Sequence, residues 1–224
     1  MTVLAPLHFE DAREAAALAA FLTRLVHYDR AAAVRLQADG GALAVFGRPP
    51  SFEVLAIRTA RLVDAVGLDA TVSAGELLEG IEESAGKAVV PDSVTGPPWT
   101  GVLPPRAGWQ PVAGLPGTAE MRGAVAAAVA EFRARDEELP EGRRTRAERD
   151  LIGREIWSRT LGATGLPLRA VHAAQSLGFL PPEGTEAPVA LFASGPWLRL
   201  RTPYGSIALR TVPMALTVTP GTSG

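Results

Sequence analysis

The chain contains no cysteine and a single lysine, Lys87, among its 224 residues. The lack of cysteine excludes disulfide bonds, thiolate nucleophiles and cysteine-ligated zinc. Its three histidines, His8, His27 and His172, are far apart and none stands in a ligand-spacing motif, so we expect no metal site. Neither the P-loop pattern nor the dinucleotide-binding glycine pattern occurs, so we expect no cofactor.

A strong charge of one sign and a long apolar segment are also missing. The formal net charge is −2, which creates no overall field to attract nucleic acid or anionic lipid. No apolar segment approaches the ~20 residues that cross a bilayer, and no basic, apolar leader is recognisable. We therefore expect a cytoplasmic protein without membrane contact. Scarce lysine beside plentiful arginine and alanine indicates a GC-rich bacterial genome.

The clearest folding unit is the segment from residue 33 to residue 63. Apolar and polar residues alternate on either side of Asp39-Gly40, a pair that favours a tight hairpin because glycine adopts positive φ angles freely. After a break at residues 47–50, residues 52–63 predict a long third strand. The three strands together predict an antiparallel sheet on which helices pack.

Periodic patterns predict the remaining elements. Helical spacing of apolar residues, with capping residues at the starts, predicts five helices. Short apolar runs between turn signals predict two brief strands after the hairpin unit and four near the end of the chain. The predicted helices cover residues 11–28, 74–86, 118–139, 145–162 and 167–178; the predicted strands cover Leu68–Val72, Lys87–Val90, Val189–Phe192, Trp197–Thr202, Ser206–Val212 and Met214–Thr219.

These elements predict an α+β fold, in which strands from both ends of the chain form an antiparallel sheet and a central group of helices packs against it. Four segments make up what we expect to be one compact domain. They are an N-terminal helix, β-meander and short helix (1–90), a proline- and tryptophan-rich ordered loop (91–117), a helical segment (118–180) and a C-terminal β-meander (181–224).

Arg58 is a charged residue on the otherwise apolar face of the predicted third strand. A buried guanidinium without a partner is very costly. We therefore predict that Arg58 either pairs with a carboxylate or lies at the rim of the sheet and lines a cavity, where it would contribute to ligand binding.

The loop at residues 91–117 is the main candidate for a working surface. Loops of this length are usually functional or disordered, and its tryptophans argue against disorder. Trp99, Arg106 and Trp109 are of the residue types enriched at binding hot spots. The alternative is that both tryptophans only attach the loop to the body of the protein. Seven prolines predict that it has no regular structure: Pro91, Pro97, Pro98, Pro104, Pro105, Pro111 and Pro116.

A Ser-dependent hydrolase is a second hypothesis. Ser73 lies between a predicted strand and a predicted helix, which is the setting of a nucleophile elbow, and Asp92 and His172 follow in the order of a catalytic triad. The motif lacks its first glycine, which is Thr71 here. The simpler interpretation makes Ser73 a helix N-cap with Glu76 as its capping-box partner.

A third hypothesis is a DNA-binding helix-turn-helix at residues 145–179. Several arginines lie there, but Glu148, Asp150 and Glu155 are interleaved with them, as on a solvated helix face. The second helix offers few side chains to base edges, which disfavours nucleic acid as a partner.

The function that we expect is therefore binding of a small molecule or a protein partner, without catalysis. We also expect a homodimer, since twofold pairing is the commonest closed assembly of soluble proteins.

Overall fold

The computed structural model describes residues 6–211, in which an eight-stranded antiparallel sheet carries helices on one face. The first half of the chain forms β1 (Leu7–His8), α1 (Ala12–Tyr28), β2 (Ala33–Ala38), β3 (Ala42–Gly47), β4 (Leu55–Arg61), β5 (Leu68–Ser73), α2 (Ala74–Glu79), β6 (Ile81–Glu82) and β7 (Lys87–Ala88). The second half forms β8 (Gln110–Val112), α3 (Thr118–Glu138), α4 (Arg146–Ser158), α5 (Leu168–Ser176), β9 (Ala190–Ser194), β10 (Trp197–Thr202) and β11 (Gly205–Arg210).

The large sheet has the strand order β5-β2-β3-β4-β11-β10-β9-β8, and every neighbouring pair is antiparallel. Its two halves meet where β4 pairs with β11, with Leu55 opposite Ala208 and Ile57 opposite Ser206. A small second sheet has the order β1-β7-β6. The prediction of an α+β fold with a sheet built from both ends of the chain is thus confirmed.

The hairpin formed by β2 and β3 is also confirmed, and Gly40 in its turn has a φ of 70°. The predicted third strand is shorter than expected, because β4 begins at Leu55 and not at residue 52. Ser51 and Glu53 have φ angles of 72° and 53°. A strand requires negative φ, so the chain cannot extend through these two residues.

The helical face of the sheet carries the main core. Helix α1 packs on β4 and helix α5 packs on β11, while α3 and α4 pack over α5. Leu18, Leu22 and Leu25 of α1 are fully buried against the sheet residues Val34 and Val45. Burial of one such leucine contributes about 1.5–3 kcal/mol, so this layer holds the helices on the sheet.

Two predicted helix boundaries were wrong. Helix α2 ends at Glu79, and Gly86, with a φ of 59°, instead follows a separate 3₁₀ turn at Glu83–Ala85. Helix α4 ends at Ser158, after which Thr160 pairs with Pro167 in an isolated β-bridge. The predicted start of α4 is confirmed, because the Thr145 hydroxyl accepts a hydrogen bond from the Glu148 N–H at 3.3 Å.

The second face of the sheet is covered by the proline- and tryptophan-rich loop. Phe46, Leu55, Ile57, Trp197 and Ala208 form a smaller buried cluster there, and side chains of the loop pack against it. This arrangement makes the sheet the middle layer of the protein. The loop side chains in this contact are Trp99, Leu103 and Trp109.

The expectation that this loop has no regular structure was wrong. Residues Pro98–Gly101 form a 3₁₀ turn, which tolerates proline at its start because no N–H is needed there. Pro111 lies in β8, which is an outer strand of the sheet, where a missing N–H is tolerated.

The predicted strand Met214–Thr219 lies outside the residues that the structure describes. Within residues 6–211, no helix combines the length and the apolar character that a membrane span requires.

Candidate ligand-binding site

Trp109 fixes the shape of the loop over the second face of the sheet. Its indole N–H donates a hydrogen bond to the carbonyl oxygen of Pro105 at 2.9 Å. Its ring lies 5.8 Å from the guanidinium carbon of Arg199 on β10, within the range of a cation–π interaction. One tryptophan therefore closes the loop on itself and also contacts a charged side chain of the sheet.

A pocket of about 320 Å³ lies between the loop and strands β2, β3 and β4. We call it the loop pocket. Its floor is largely apolar, with Ala44, Phe46 and Ile57 from the sheet, while Arg106 of the loop and Arg199 of β10 supply positive charge. An apolar cavity with a few converging polar groups is the usual form of a small-molecule site.

Arg199 is the chemically distinctive residue of the loop pocket. Its Nη2 donates to the Ser206 hydroxyl at 3.2 Å, while its buried Nε has no hydrogen-bond partner. Within residues 6–211, no carboxylate lies at ion-pair distance from it. Burial lowers the pKa of Arg199, and the charge of Arg201 lowers it further. The site thus holds a cation that the protein itself does not neutralise.

Arg106 lies at the rim of the same pocket, and its side chain is exposed. Its Nη1 is 3.5 Å from the Asp39 carboxylate, which is also exposed. Exposed ion pairs contribute about 0–1 kcal/mol, so this contact leaves Arg106 free to reorient toward a bound ligand.

Arg35 lies on the same sheet face as Arg199 but has a carboxylate partner. Its Nη2 lies 2.8 Å from the Asp69 carboxylate, and its Nη1 donates to the Thr71 hydroxyl at 3.1 Å. Arg35 and Arg199 therefore differ in the one respect that matters for anion binding, which is the presence of an internal carboxylate.

Arg58 lies on the opposite face of the sheet, so the structure does not bring it together with Arg106 and Trp109. Its Nη1 donates to the carbonyl oxygen of Tyr204 at 2.6 Å, and its Nη2 is 3.6 Å from the Glu14 carboxylate. Burial lowers the pKa of Arg58, and the charge of Glu14 partly opposes this shift. Of the two outcomes predicted for Arg58, pairing with a carboxylate is the one that the structure shows.

The three residues of the hydrolase hypothesis do not assemble. The Ser73 hydroxyl accepts from the Glu76 N–H at 3.3 Å, as the N-cap of α2. His172 on α5 stacks on Trp157, with ring centroids 4.4 Å apart. Ser73 ends strand β5, whereas the helix that carries His172, α5, packs on β11. These two strands are four positions apart in the sheet, a separation of about 19 Å at ~4.8 Å per strand. Asp92 is exposed.

The helices of the helix-turn-helix hypothesis are mostly occupied by internal contacts. Five of the nine residues of α5 are buried, so little of it is open to a DNA groove. Arg149 of α4 pairs with Asp136 of α3 at 2.7 Å. Arg159, the residue after α4, pairs with Glu131 of α3. The local positive charge that motivated this hypothesis is therefore largely neutralised.

Arg199 was missed by the sequence analysis, although a signal for it exists. In the strand Trp197–Thr202, apolar Leu198 and Leu200 alternate with Trp197, Arg199 and Arg201, so one face of this strand carries two arginines beside a tryptophan. That pattern predicts a charged, aromatic sheet face. It does not reveal that the loop folds over this face and buries Arg199.

Two family models match the chain, and the boundary between them lies inside the proline- and tryptophan-rich loop. Residues 3–101 match the family model described as "Domain of unknown function (DUF8010)", and residues 104–214 match the one described as "Domain of unknown function (DUF8185)". No curated protein matches the chain. Each matched region supplies four strands of the eight-stranded sheet. The loop pocket takes its floor from the first matched region and both of its arginines from the second.

Proposed function

We propose that the protein is a non-enzymatic binding protein and that its loop pocket binds a small carboxylate ligand. The observation that carries this proposal is Arg199, a partly buried guanidinium that lines the pocket and has no internal carboxylate partner within residues 6–211. An uncompensated buried charge is strongly destabilising. A ligand carboxylate would supply the missing charge, and its planar geometry matches the two parallel N–H donors of a guanidinium.

The size and lining of the pocket support the same ligand class. A volume of about 320 Å³ is at the lower end of the ~300–1,000 Å³ that ligand sites span. The apolar floor at Ala44, Phe46 and Ile57 suits an aliphatic or aromatic body of a few carbon atoms. The ligand would thus place its carboxylate at Arg199 and its apolar part on the sheet.

The loop contributes the closing side of the site. The ring of Trp109 makes a cation–π contact with Arg199. At the rim, Arg106 has only an exposed ion-pair partner, Asp39. On ligand binding, Arg106 would turn from Asp39 to the ligand carboxylate and cover it. The proline residues on either side limit the conformational entropy that the loop loses in this step.

A thermal-shift titration with monocarboxylates tests the proposal. Benzoate, isovalerate and phenylacetate should each raise the melting temperature of the wild-type protein if they fit the pocket, because a ligand that binds only the folded state stabilises it. Chloride at equal ionic strength is the control for general salt effects. Arg199→Met should abolish the shift, whereas Arg35→Met should keep it.

The result against the proposal is equally specific. A wild-type protein that none of these carboxylates stabilises at about 10 mM, a concentration that detects even weak binding, has no carboxylate site in the loop pocket. Equal stabilisation of the wild-type protein and Arg199→Met would place the carboxylate elsewhere.

A further inference from the structure

A second pocket, of about 440 Å³, lies on the same face of the sheet, beside the 3₁₀ turn Pro98–Gly101. We call it the tryptophan pocket, because Trp99 of the turn and Trp197 of β10 both line it. Leu55 and Ala208 form an apolar floor between them. No residue that lines this pocket also lines the loop pocket, so the two are separate sites.

Three arginines from three different elements line the tryptophan pocket. Arg48 follows β3, Arg169 lies in the first turn of α5, and Arg210 ends β11. The only carboxylate in the lining is that of Glu53, which is 3.9 Å from Arg169 Nε. The lining therefore carries three positive charges against one negative charge.

Each of the three arginines has side-chain N–H groups without a hydrogen-bond partner in the part of the chain that the structure describes. Within residues 6–211, Arg48 and Arg210 have no side-chain hydrogen bond and no ion pair, and the buried Nε of Arg169 has no hydrogen-bond partner. Some exposed arginines elsewhere, such as Arg135 and Arg143, are paired with glutamates, so what sets the pocket apart is that three arginines lie together in it. Like charges placed together repel one another, so an unpaired cluster of this kind favours an anionic partner.

The aromatic side chains indicate what else the ligand carries. Arg210 lies 6.0 Å from the ring centroid of Trp197, and Trp99 faces the same pocket and is only partly buried. Flat π systems stack on tryptophan. A ligand that fills this pocket would therefore combine a doubly charged anionic group with a flat ring.

The backbone beside the pocket is held in an unusual conformation. Ser51 and Glu53 both have positive φ angles, which residues with a side chain rarely adopt. Such conformations persist where the surrounding structure fixes them, and they cluster at ligand-binding segments. Glu53 belongs to this segment, and its largely exposed carboxylate lies 3.9 Å from Arg169 Nε.

We propose that the tryptophan pocket binds a phosphate monoester joined to a flat aromatic group. The net charge of the lining, two positive charges, matches a phosphate dianion, and arginine donors recognise phosphate oxygens in pairs. Phosphate would contact Arg48, Arg169 and Arg210, and the ring would lie against the partly exposed side chain of Trp99. Two sources share this chemistry, a nucleoside monophosphate and an aryl phosphate.

Quenching of tryptophan fluorescence measures the proposed binding directly. The wild-type protein is titrated with phenyl phosphate, adenosine 5′-monophosphate and inorganic phosphate. Saturable quenching by at least one of the two esters, at least tenfold tighter than binding of inorganic phosphate, is the expected result. Tighter binding of adenosine 5′-monophosphate identifies the ligand as a nucleotide, and tighter binding of phenyl phosphate identifies it as an aryl phosphate.

Variants locate the bound phosphate. The double variant R48A/R210A should weaken ester binding at least tenfold, and Glu53→Gln should strengthen it severalfold because the competing carboxylate is removed. Arg201→Ala is the matched control, since this exposed arginine lies on the same sheet face but outside the pocket, and it should change ester binding less than twofold. Melting temperatures of all variants show whether they are folded.

Three results would overturn the proposal. The first is no saturable quenching by either ester at about 10 mM, where even weak complexes form. The second is unchanged ester binding by folded R48A/R210A. The third is loss of ester binding in Arg199→Met with R48A/R210A unaffected, which would assign the phosphate to the loop pocket. Failure of the carboxylate proposal has a different signature, because it leaves ester binding by the tryptophan pocket intact.

Discussion

Arg58 and Glu14 face each other across the interface between the sheet and helix α1, with Nη2 of Arg58 3.6 Å from the Glu14 carboxylate. Only 12% of the Arg58 side chain and 15% of the Glu14 side chain are exposed. Replacing Glu14 with glutamine leaves a buried guanidinium without its counter-charge. We expect Glu14→Gln to lower the free energy of unfolding by about 2 kcal/mol, somewhat less than for a fully buried pair, as measured by urea denaturation.

A neighbouring pair supplies the control for this prediction. Arg61 Nε lies 2.8 Å from the Glu10 carboxylate and 3.3 Å from that of Glu14, but the side chains of Arg61 and Glu10 are both more than half exposed. Glu10→Gln should therefore change the free energy of unfolding by less than about 0.5 kcal/mol. Equal effects of Glu10→Gln and Glu14→Gln would show that burial of the Arg58 pair contributes nothing.

Trp99 and Trp109 should both support stability, because both pack on the buried cluster of the second sheet face. We expect Trp99→Ala and Trp109→Ala each to lower the free energy of unfolding by about 2 kcal/mol, less than the ~3–5 kcal/mol of a fully buried aromatic residue. Trp197→Ala, at a buried position of the same cluster, should cost more than either. A Trp99→Ala protein that unfolds at the wild-type urea concentration would contradict this account of the loop.

The β2–β3 hairpin of the main sheet could be predicted from sequence because its signals lie within a few residues of one another. The Asp39-Gly40 turn and the alternating residues around it determine the β2–β3 hairpin within a few residues. The positive φ angles of Ser51 and Glu53 could not be predicted, since neither residue favours that conformation by itself. The tertiary environment imposes it, and β4 therefore begins at Leu55, three residues later than predicted.

The candidate sites were predictable only in part. The residue types of Trp99, Arg106 and Trp109 predicted that the loop is a binding surface, which remains a prediction; the structure shows that the loop lies over one face of the sheet. Arg199 depends on a long-range contact, because only the fold of the loop over β10 buries its guanidinium. Arg58 could be treated further from sequence, because the cost of an isolated buried charge predicted either a carboxylate partner or a place at the sheet rim; the structure shows that the partner is Glu14.

His172 should make stability depend on pH. Burial between Phe52 and Trp157 lowers the pKa of His172 below its ordinary value of 6.5. Above pH 6.5 the side chain is neutral in both states, so its contribution to stability is complete. Below pH 6.5 the unfolded state takes up a proton that the folded state does not, so the free energy of unfolding falls until the pH reaches the lowered pKa.

The measurement is the melting temperature over a pH range that begins at about pH 7.5 and extends below the ordinary pKa of 6.5. The melting temperature of the wild-type protein should fall as the pH decreases through this range. His172→Gln cannot take up the proton and should show a shallower fall. An identical pH profile for the two proteins would show that His172 is not the responsible group.

Self-association remains a prediction that a single mass measurement checks. We expect a homodimer with twice the 23.4 kDa chain mass, since twofold pairing is the commonest assembly of soluble proteins. Light scattering coupled to size-exclusion chromatography at micromolar concentration gives this mass directly. A value near that of one chain would show that the protein is a monomer under these conditions.

The central claim is that Arg199 binds the carboxylate of a small ligand in the loop pocket. Isothermal titration calorimetry of the wild-type protein, Arg199→Met and Arg35→Met, with the carboxylate that stabilises the wild type most, tests it directly. Loss of a charge-assisted contact of about 2 kcal/mol corresponds to a ~30-fold weaker affinity. The account predicts that weakening for Arg199→Met and a near-wild-type affinity for Arg35→Met. Equal affinities of the wild-type protein and folded Arg199→Met would contradict it.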